Sequence, residues 1–196
     1  MRVDIDVPAN VPTQGNRFTR GLGRTLMRML GWKLGGELPN VKKCVFIGAP
    51  HTSNWDFIVS MISILALGLR ASYLMKKEAF FWPLAGFFKA LGGVPTDRKA
   101  AGGVVANIAE QYRTHDKMWV VLTPEGTRSK VDKWKSGFIQ IANQAKVPVV
   151  CVAFDYPSKT VHIGKMFHPS GDDEKDMQDI RAYYENSFTG RHPHRQ

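Results

Sequence analysis

Apolar positions along this chain follow two rhythms, and the change from one to the other sets the elements to expect. Over residues 16–30, Phe18, Leu22, Leu26, Met29 and Leu30 recur at helical spacing, with Arg17, Arg20, Arg24 and Arg28 on the opposite side. The pattern predicts an amphipathic basic helix. It fits an anionic membrane interface, and it equally fits a surface helix packed on a core with its arginines in solvent. Gly31, Gly35, Gly36 and Pro39 then interrupt the pattern and close the segment.

From residue 43 onward, short apolar runs alternate with helical stretches. Strands are predicted over 43–48, 72–75, 118–122, 147–154 and 160–163, and helices over 54–67, 78–91, 101–115, 136–145 and 174–187. This alternation is the mark of an α/β fold: one layered domain, a mostly parallel central sheet with helices on both faces, and the N-terminal amphipathic basic helix added to it. The runs at 118–122 (MWVVL) and 147–154 (VPVVCVAF) are apolar almost throughout, as central strands buried on both faces should be. Residues 1–43 read as an extended segment plus the membrane-associating helix, and 44–196 as the catalytic domain.

Composition narrows the partners. With 27 Lys and Arg against 17 Asp and Glu, the formal net charge is +10, which points to phosphate head groups, a phosphorylated carrier or nucleic acid. Residues 1–43 hold eight basic and three acidic residues, so about half of the excess lies there. No nucleic-acid-binding motif is recognisable, so nucleic acid is not the expected partner. The first twelve residues contain no apolar stretch suited to a signal peptide, and the longest apolar run, 57–69, is thirteen residues long. A spanning helix needs roughly 18 or more. The expected location is therefore peripheral, on the cytoplasmic face of a membrane with an anionic surface. Cys44 and Cys151 sit inside apolar runs and read as small buried hydrophobes. The six histidines are scattered without ligand spacing, and no glycine-rich stretch fits a P-loop or a dinucleotide fingerprint. No metal and no cofactor are expected.

Ligands of open α/β sheets bind beyond the carboxyl ends of the strands. Two predicted strands end in loops rich in reactive groups: CVFIGAP runs into His51-Thr52-Ser53-Asn54-Trp55-Asp56, and MWVVLTP into Glu125-Gly126-Thr127-Arg128-Ser129. Parallel neighbours would bring the two loops to one sheet edge. Five residues apart, His51 and Asp56 would diverge by about 140° within a single helix. They meet only if His51 lies in the loop and Asp56 in the first turn of the next helix, with Ser53 or Asn54 as N-cap. A carboxylate there fixes the imidazole tautomer and leaves Nε2 free to accept a proton, help worth about 10²–10⁴ in rate. The spacing is also that of a structural histidine capping the helix.

The string HTSNWD resembles the histidine, four residues, aspartate signature of the glycerolipid acyltransferases, the family of 1-acylglycerol-3-phosphate acyltransferases. Further blocks follow in family order: Gly93-Val94-Pro95-Thr96-Asp97-Arg98, then Pro124-Glu125-Gly126-Thr127-Arg128-Ser129, then Val147-Pro148-Val149-Val150. Pro50 and Thr123 depart from the residues usual before the first and third blocks. The resemblance implies an acyl thioester donor (acyl-CoA or acyl carrier protein) and a lysophospholipid-like acceptor, with other lyso-lipids such as amino-acid-linked ones also open. His51 would be the general base and Asp56 its orienter. Arg98 would hold the acceptor phosphate, and Glu125, Gly126, Thr127 and Arg128 would position the acceptor, with Lys99 and Lys130 as further phosphate contacts. Direct attack on the thioester is expected, since neither cysteine lies near these loops and the G-x-S-x-G elbow is absent. A thioester or ester hydrolase using the same base is the alternative. Residues 79–88 carry five aromatics, Phe80, Phe81, Trp82, Phe87 and Phe88, which read either as an acyl groove or a stretch dipping into the bilayer interface, or equally as a core helix kinked at Pro83. Oligomeric state is left open.

Overall fold

In the computed structural model of this chain, which describes residues 5–76, 78, 80–90, 92–96, 103–185 and 187–196, seven strands form one sheet. The strands are β1 (Lys33–Gly36), β2 (Lys43–Ala49), β3 (Ala71–Lys76), β4 (Gly93–Thr96), β5 (Met118–Leu122), β6 (Val149–Asp155) and β7 (Thr160–Phe167). The helices are α1 (Arg17–Leu30), α2 (Asn54–Leu67), α3 (Leu84–Ala90), α4 (Gly103–Thr114), α5 (Gly137–Ala145) and α6 (Asp173–Tyr184). Sheet order is β1-β7-β6-β2-β5-β3-β4, and every pairing is parallel except β6 with β7.

The expected layered α/β architecture is what the chain adopts. On one face, α1 and α2 cover Phe46, Trp119 and Phe154, with Met27, Val59 and Ala66 buried among them. On the other, α4, α5 and α6 bring Ile108, Ile139 and Ile180 against Val45, Ile47 and Val120. Central strands β6, β2 and β5 are therefore buried from both sides, which is why their sequences are continuous apolar runs rather than alternating ones. Cys44 and Cys151 lie inside this core as free thiols, and burial pushes the Cys151 thiol up to about 12 and that of Cys44 well up also.

Helix α1 begins at an Asn16 N-cap whose side chain and that of Thr19 exchange hydrogen bonds with each other's backbone N–H groups. It packs on α2 through Gly23 and Met27. A Cβ at Gly23 would stand 2.4 Å from the Ala66 nitrogen, so the two backbones approach as closely as they do only because no side chain intervenes. Arg20 lies against Gly68 at the carboxyl end of α2, where a cation complements the partial negative charge of the helix. The helix lies against α2, with a different face outward from the one a surface helix with solvated arginines would show. It packs on the core, yet it turns its apolar stripe outward: Phe18 and Met29 are 78% and 77% exposed, and Leu22 is exposed as well.

The structure departs from the sequence expectation at several elements. Strands β1 and β4 were not anticipated. Each is four residues at a sheet edge, and KLGG and GVPT carry glycine or proline in place of an apolar run. The helix expected over 78–91 starts at Leu84, because Trp82 and Pro83 form a turn before it and no helix is kinked at Pro83. The last helix ends at Tyr184 rather than 187.

Candidate active site

Strands β2 and β5 are parallel neighbours in register from Lys43 opposite Met118 to Ile47 opposite Leu122, so the loops that follow them leave from the same sheet edge. Two side-chain bonds tie the loops together. The His51 N–H donates to Glu125 Oε2 at 2.8 Å, and Arg128 donates to the Asn54 side-chain oxygen.

Ser53 is the N-cap of α2 and Asp56 its third residue, and together they form a capping box. This local motif also delivers the chemistry. His51 stays in the loop while Asp56, in the first helical turn, points back toward it. Asp56 Oδ2 lies 3.1 Å from His51 Nδ1 and accepts from the Thr52 and Ser53 N–H groups at 2.9 Å each. The other oxygen, Oδ1, accepts from the Tyr156 hydroxyl at 2.5 Å. Burial alone would raise this carboxyl, but donation from His51, Tyr156 and the Ser53 N–H outweighs it and holds Asp56 below the usual carboxylate range. An ionised carboxylate only accepts, so the proton between the pair sits on Nδ1 and Nε2 carries the free lone pair. The His51 side chain is 17% exposed and its partner 1%: a base open at one end, held by a buried acid at the other.

Glu125 stands beside this pair half-buried. Burial pushes its carboxyl up to about 7, against the opposing donation from the His51 N–H, so it changes charge near neutral pH. Gly126 has φ +64, and its own N–H closes a turn onto the Thr123 carbonyl at 3.1 Å. That N–H is therefore already engaged within the loop, and the turn is why a glycine stands there. Thr127, Arg128 and Lys130 are exposed on the same loop. Arg98 and Lys99 lie outside the described residues.

The aromatic stretch is described only in part. Phe81 and Trp82 are 56% and 90% exposed, Phe80 packs edge-on against Phe88 at 6.1 Å, and the Phe87 side chain lies outside what is described. Of the described ones, Phe80, Phe81, Trp82 and Phe88, none lines the apolar cavity of about 60 Å³ that lies between α2 and the sheet. That cavity is walled by Phe46, Ile64, Trp119 and Val121, and it reaches Gly48, three residues before His51, and Ser60, one helical turn beyond Asp56.

Two components of the site were not anticipated from sequence. Tyr156, in the turn after β6, lies 100 residues from Asp56, and its ring is fixed edge-on against Trp32 at 4.9 Å. Segment 188–196 crosses the His51–Asp56 loop, with the His192 N–H donating to Thr52 Oγ1 at 3.1 Å over a separation of 140 residues. Nothing local in the sequence marks either contact. Among the described residues, no group of three or more His, Cys, Asp or Glu is arranged to hold a metal ion.

The sequence model of the family described as Acyltransferase matches residues 35–155, which include both loops. A 1-acyl-sn-glycerol-3-phosphate acyltransferase of Cocos nucifera is 31% identical over 147 residues, covering 70% of this chain and 46% of that protein. The human 1-acyl-sn-glycerol-3-phosphate acyltransferase beta is 30% identical over 144 residues, covering 69% of this chain and 49% of its own length. The chain thus spans about half the length of the curated relatives it matches. The crystal structure of the 1-acyl-sn-glycerophosphate (LPA) acyltransferase PlsC from Thermotoga maritima superposes with a TM-score of 0.60 at 17% identity, over 89% of this chain and 81% of that one, a likeness of fold.

Proposed function

The chain belongs to the acyltransferase family, and from that premise we propose that it transfers a fatty acyl group from a thioester, acyl-CoA or acyl carrier protein, to a hydroxyl of a lysophospholipid, 1-acylglycerol-3-phosphate first among the candidates. The observation that carries this reading is the His51–Asp56 pair, 3.1 Å apart through Nδ1, with the His51 side chain still 17% exposed. The acceptor hydroxyl gives its proton to Nε2 as its oxygen attacks the thioester carbonyl carbon. The new C–O bond forms, the C–S bond breaks, and the leaving thiolate recovers the proton from the imidazolium. Asp56 holds the tautomer and steadies the positive ring. The thioester supplies the activation, so no cofactor enters and no acyl-enzyme is needed.

Two further features support a lipid substrate. A small apolar cavity of about 60 Å³ behind Gly48 and Ser60 has room for only a methylene or two, yet it marks where the wall beside the acid–base pair is purely apolar. The exposed apolar face of α1, bordered by exposed Arg17 and Arg28, has the form of a surface that rests on an anionic bilayer, and α2 beside it exposes Phe57 and Ile58. Among the described residues no helix is long and apolar enough to cross a membrane. On the strength of that exposed face of α1 we propose a peripheral seat on a membrane surface, on its cytoplasmic side.

The test is acyl transfer by purified protein from labelled acyl-CoA, and from acyl carrier protein, to lysophosphatidate in vesicles. His51→Ala is expected to reduce turnover by at least about 10²-fold with its unfolding midpoint unchanged. Free fatty acid released equally with and without lysophosphatidate would identify a hydrolase instead, and near-normal turnover by His51→Ala would remove the base.

A further inference from the structure

We propose that segment 188–196 completes a phosphate-binding site over the His51–Asp56 loop, adding Arg191 and Arg195 to a loop that Arg128 also contacts at Asn54. The proposal rests on the acyl-transfer reading only for which phosphates are offered to it.

The segment is fixed rather than draped. The Thr189 carbonyl accepts the Tyr156 N–H at 2.9 Å, the Thr189 N–H donates to Asp155 Oδ1 at 3.2 Å, and the His192 N–H is held by Thr52. Gly190 fits so closely that a Cβ there would lie 2.9 Å from Thr52. Held this way, Arg191 places its guanidinium 5.2 Å from the centre of the Trp55 ring, and Arg195 reaches toward the Thr52 carbonyl at 3.5 Å. Arg128 arrives from the opposite loop and bonds Asn54. Asn54 and Trp55 are the first two residues of α2.

None of these three arginines has a carboxylate within ion-pair distance among the described residues. Guanidiniums that lack a direct carboxylate partner keep their hydrogen-bond donors available, and a multiply charged anion can engage several of them. Guanidinium forks match phosphate oxygens in pairs, and stacking on Trp55 orients one fork in advance. Arg195 also lines an open pocket with Glu125, which accepts the His51 backbone N–H; Arg181 and Glu185, the other charged walls of that pocket, are of opposite sign. Two phosphates are available in the transfer reaction, the monoester of the lipid acceptor and those of coenzyme A.

Calorimetric titration of the purified protein with glycerol 3-phosphate and, separately, with coenzyme A tests the site without any turnover. The dissociation constant of at least one ligand should rise about tenfold or more in Arg191→Ala, the loss expected for a charge-assisted contact, with a smaller rise in Arg191→Lys. An effect confined to glycerol 3-phosphate assigns the site to the acceptor head group, and one confined to coenzyme A assigns it to the carrier. Arg195→Gln gives the same reading if Arg191→Ala fails to fold. Wild-type and variant affinities that agree for both ligands overturn the proposal, as does a wild type that binds neither. A protein that binds as expected but transfers no acyl group would defeat the proposed reaction and leave the anion site standing.

Discussion

Replacing Glu125 by glutamine is expected to stabilise the folded chain at pH 8 and to change it far less at pH 5. Burial moves this carboxyl from an ordinary value near 4.5 up to about 7. An acid whose value is higher when folded binds its proton more tightly in the folded state. The wild type therefore keeps its full stability below about pH 4.5, loses it progressively as pH rises toward about 7, and is level beyond. At 1.36 kcal/mol per pH unit the gap corresponds to about 3 kcal/mol, and the carboxyl's remaining solvent contact brings it to about 2 kcal/mol. Glutamine keeps an oxygen for the His51 N–H, which Glu125 accepts at 2.8 Å, and carries no charge to desolvate. Urea unfolding at the two pH values reads the difference: a variant more stable than wild type by about 2 kcal/mol at pH 8, falling below about 1 kcal/mol at pH 5. An equal shift at both pH values, or a loss at pH 8, would refute the placement of a desolvated carboxyl beside His51.

Tyr156→Phe keeps the ring against Trp32 and removes the donor to Asp56; kcat should fall about tenfold with KM unchanged, and the acid limb of the pH–rate profile should move to higher pH as the Asp56 carboxyl rises. In α1, a Cβ at Gly21 meets nothing within 4 Å, so Gly21→Ala should stabilise by up to about 1 kcal/mol, whereas Gly23→Ala should destabilise by about 1–3 kcal/mol in thermal unfolding because of Ala66. Phe18→Ser combined with Met29→Ser should weaken sedimentation with anionic vesicles at least tenfold while leaving the unfolding midpoint in place, since both side chains are already in water.

The sequence carried the centre of this fold better than its edges. Strands β2, β5 and β6 are legible because burial on both faces demands unbroken apolar runs, and α2 is legible because Ser53 and Asp56 spell out a helix start. β1 and β4 have only four residues each and lean on one neighbour, so glycine and proline are tolerated there and the pattern vanishes. For α1 the helix was plain, but its orientation was decided by one small residue, Gly23, that hydropathy reads as neutral. The His51–Asp56 contact could be inferred because five residues and a cap confine it. Tyr156 and Arg191 could not, because their contacts to this loop are made by the three-dimensional return of distant chain.

The capping box of α2 has a consequence for anyone reading mutational scans of this chain. One carboxylate both opens a fourteen-residue helix and steers the imidazole. A screen for expression and a screen for turnover will thus flag Asp56 together, and neither score alone will reveal which duty was lost. His51, whose ring is not enlisted in starting that helix, is the position where the two screens should part.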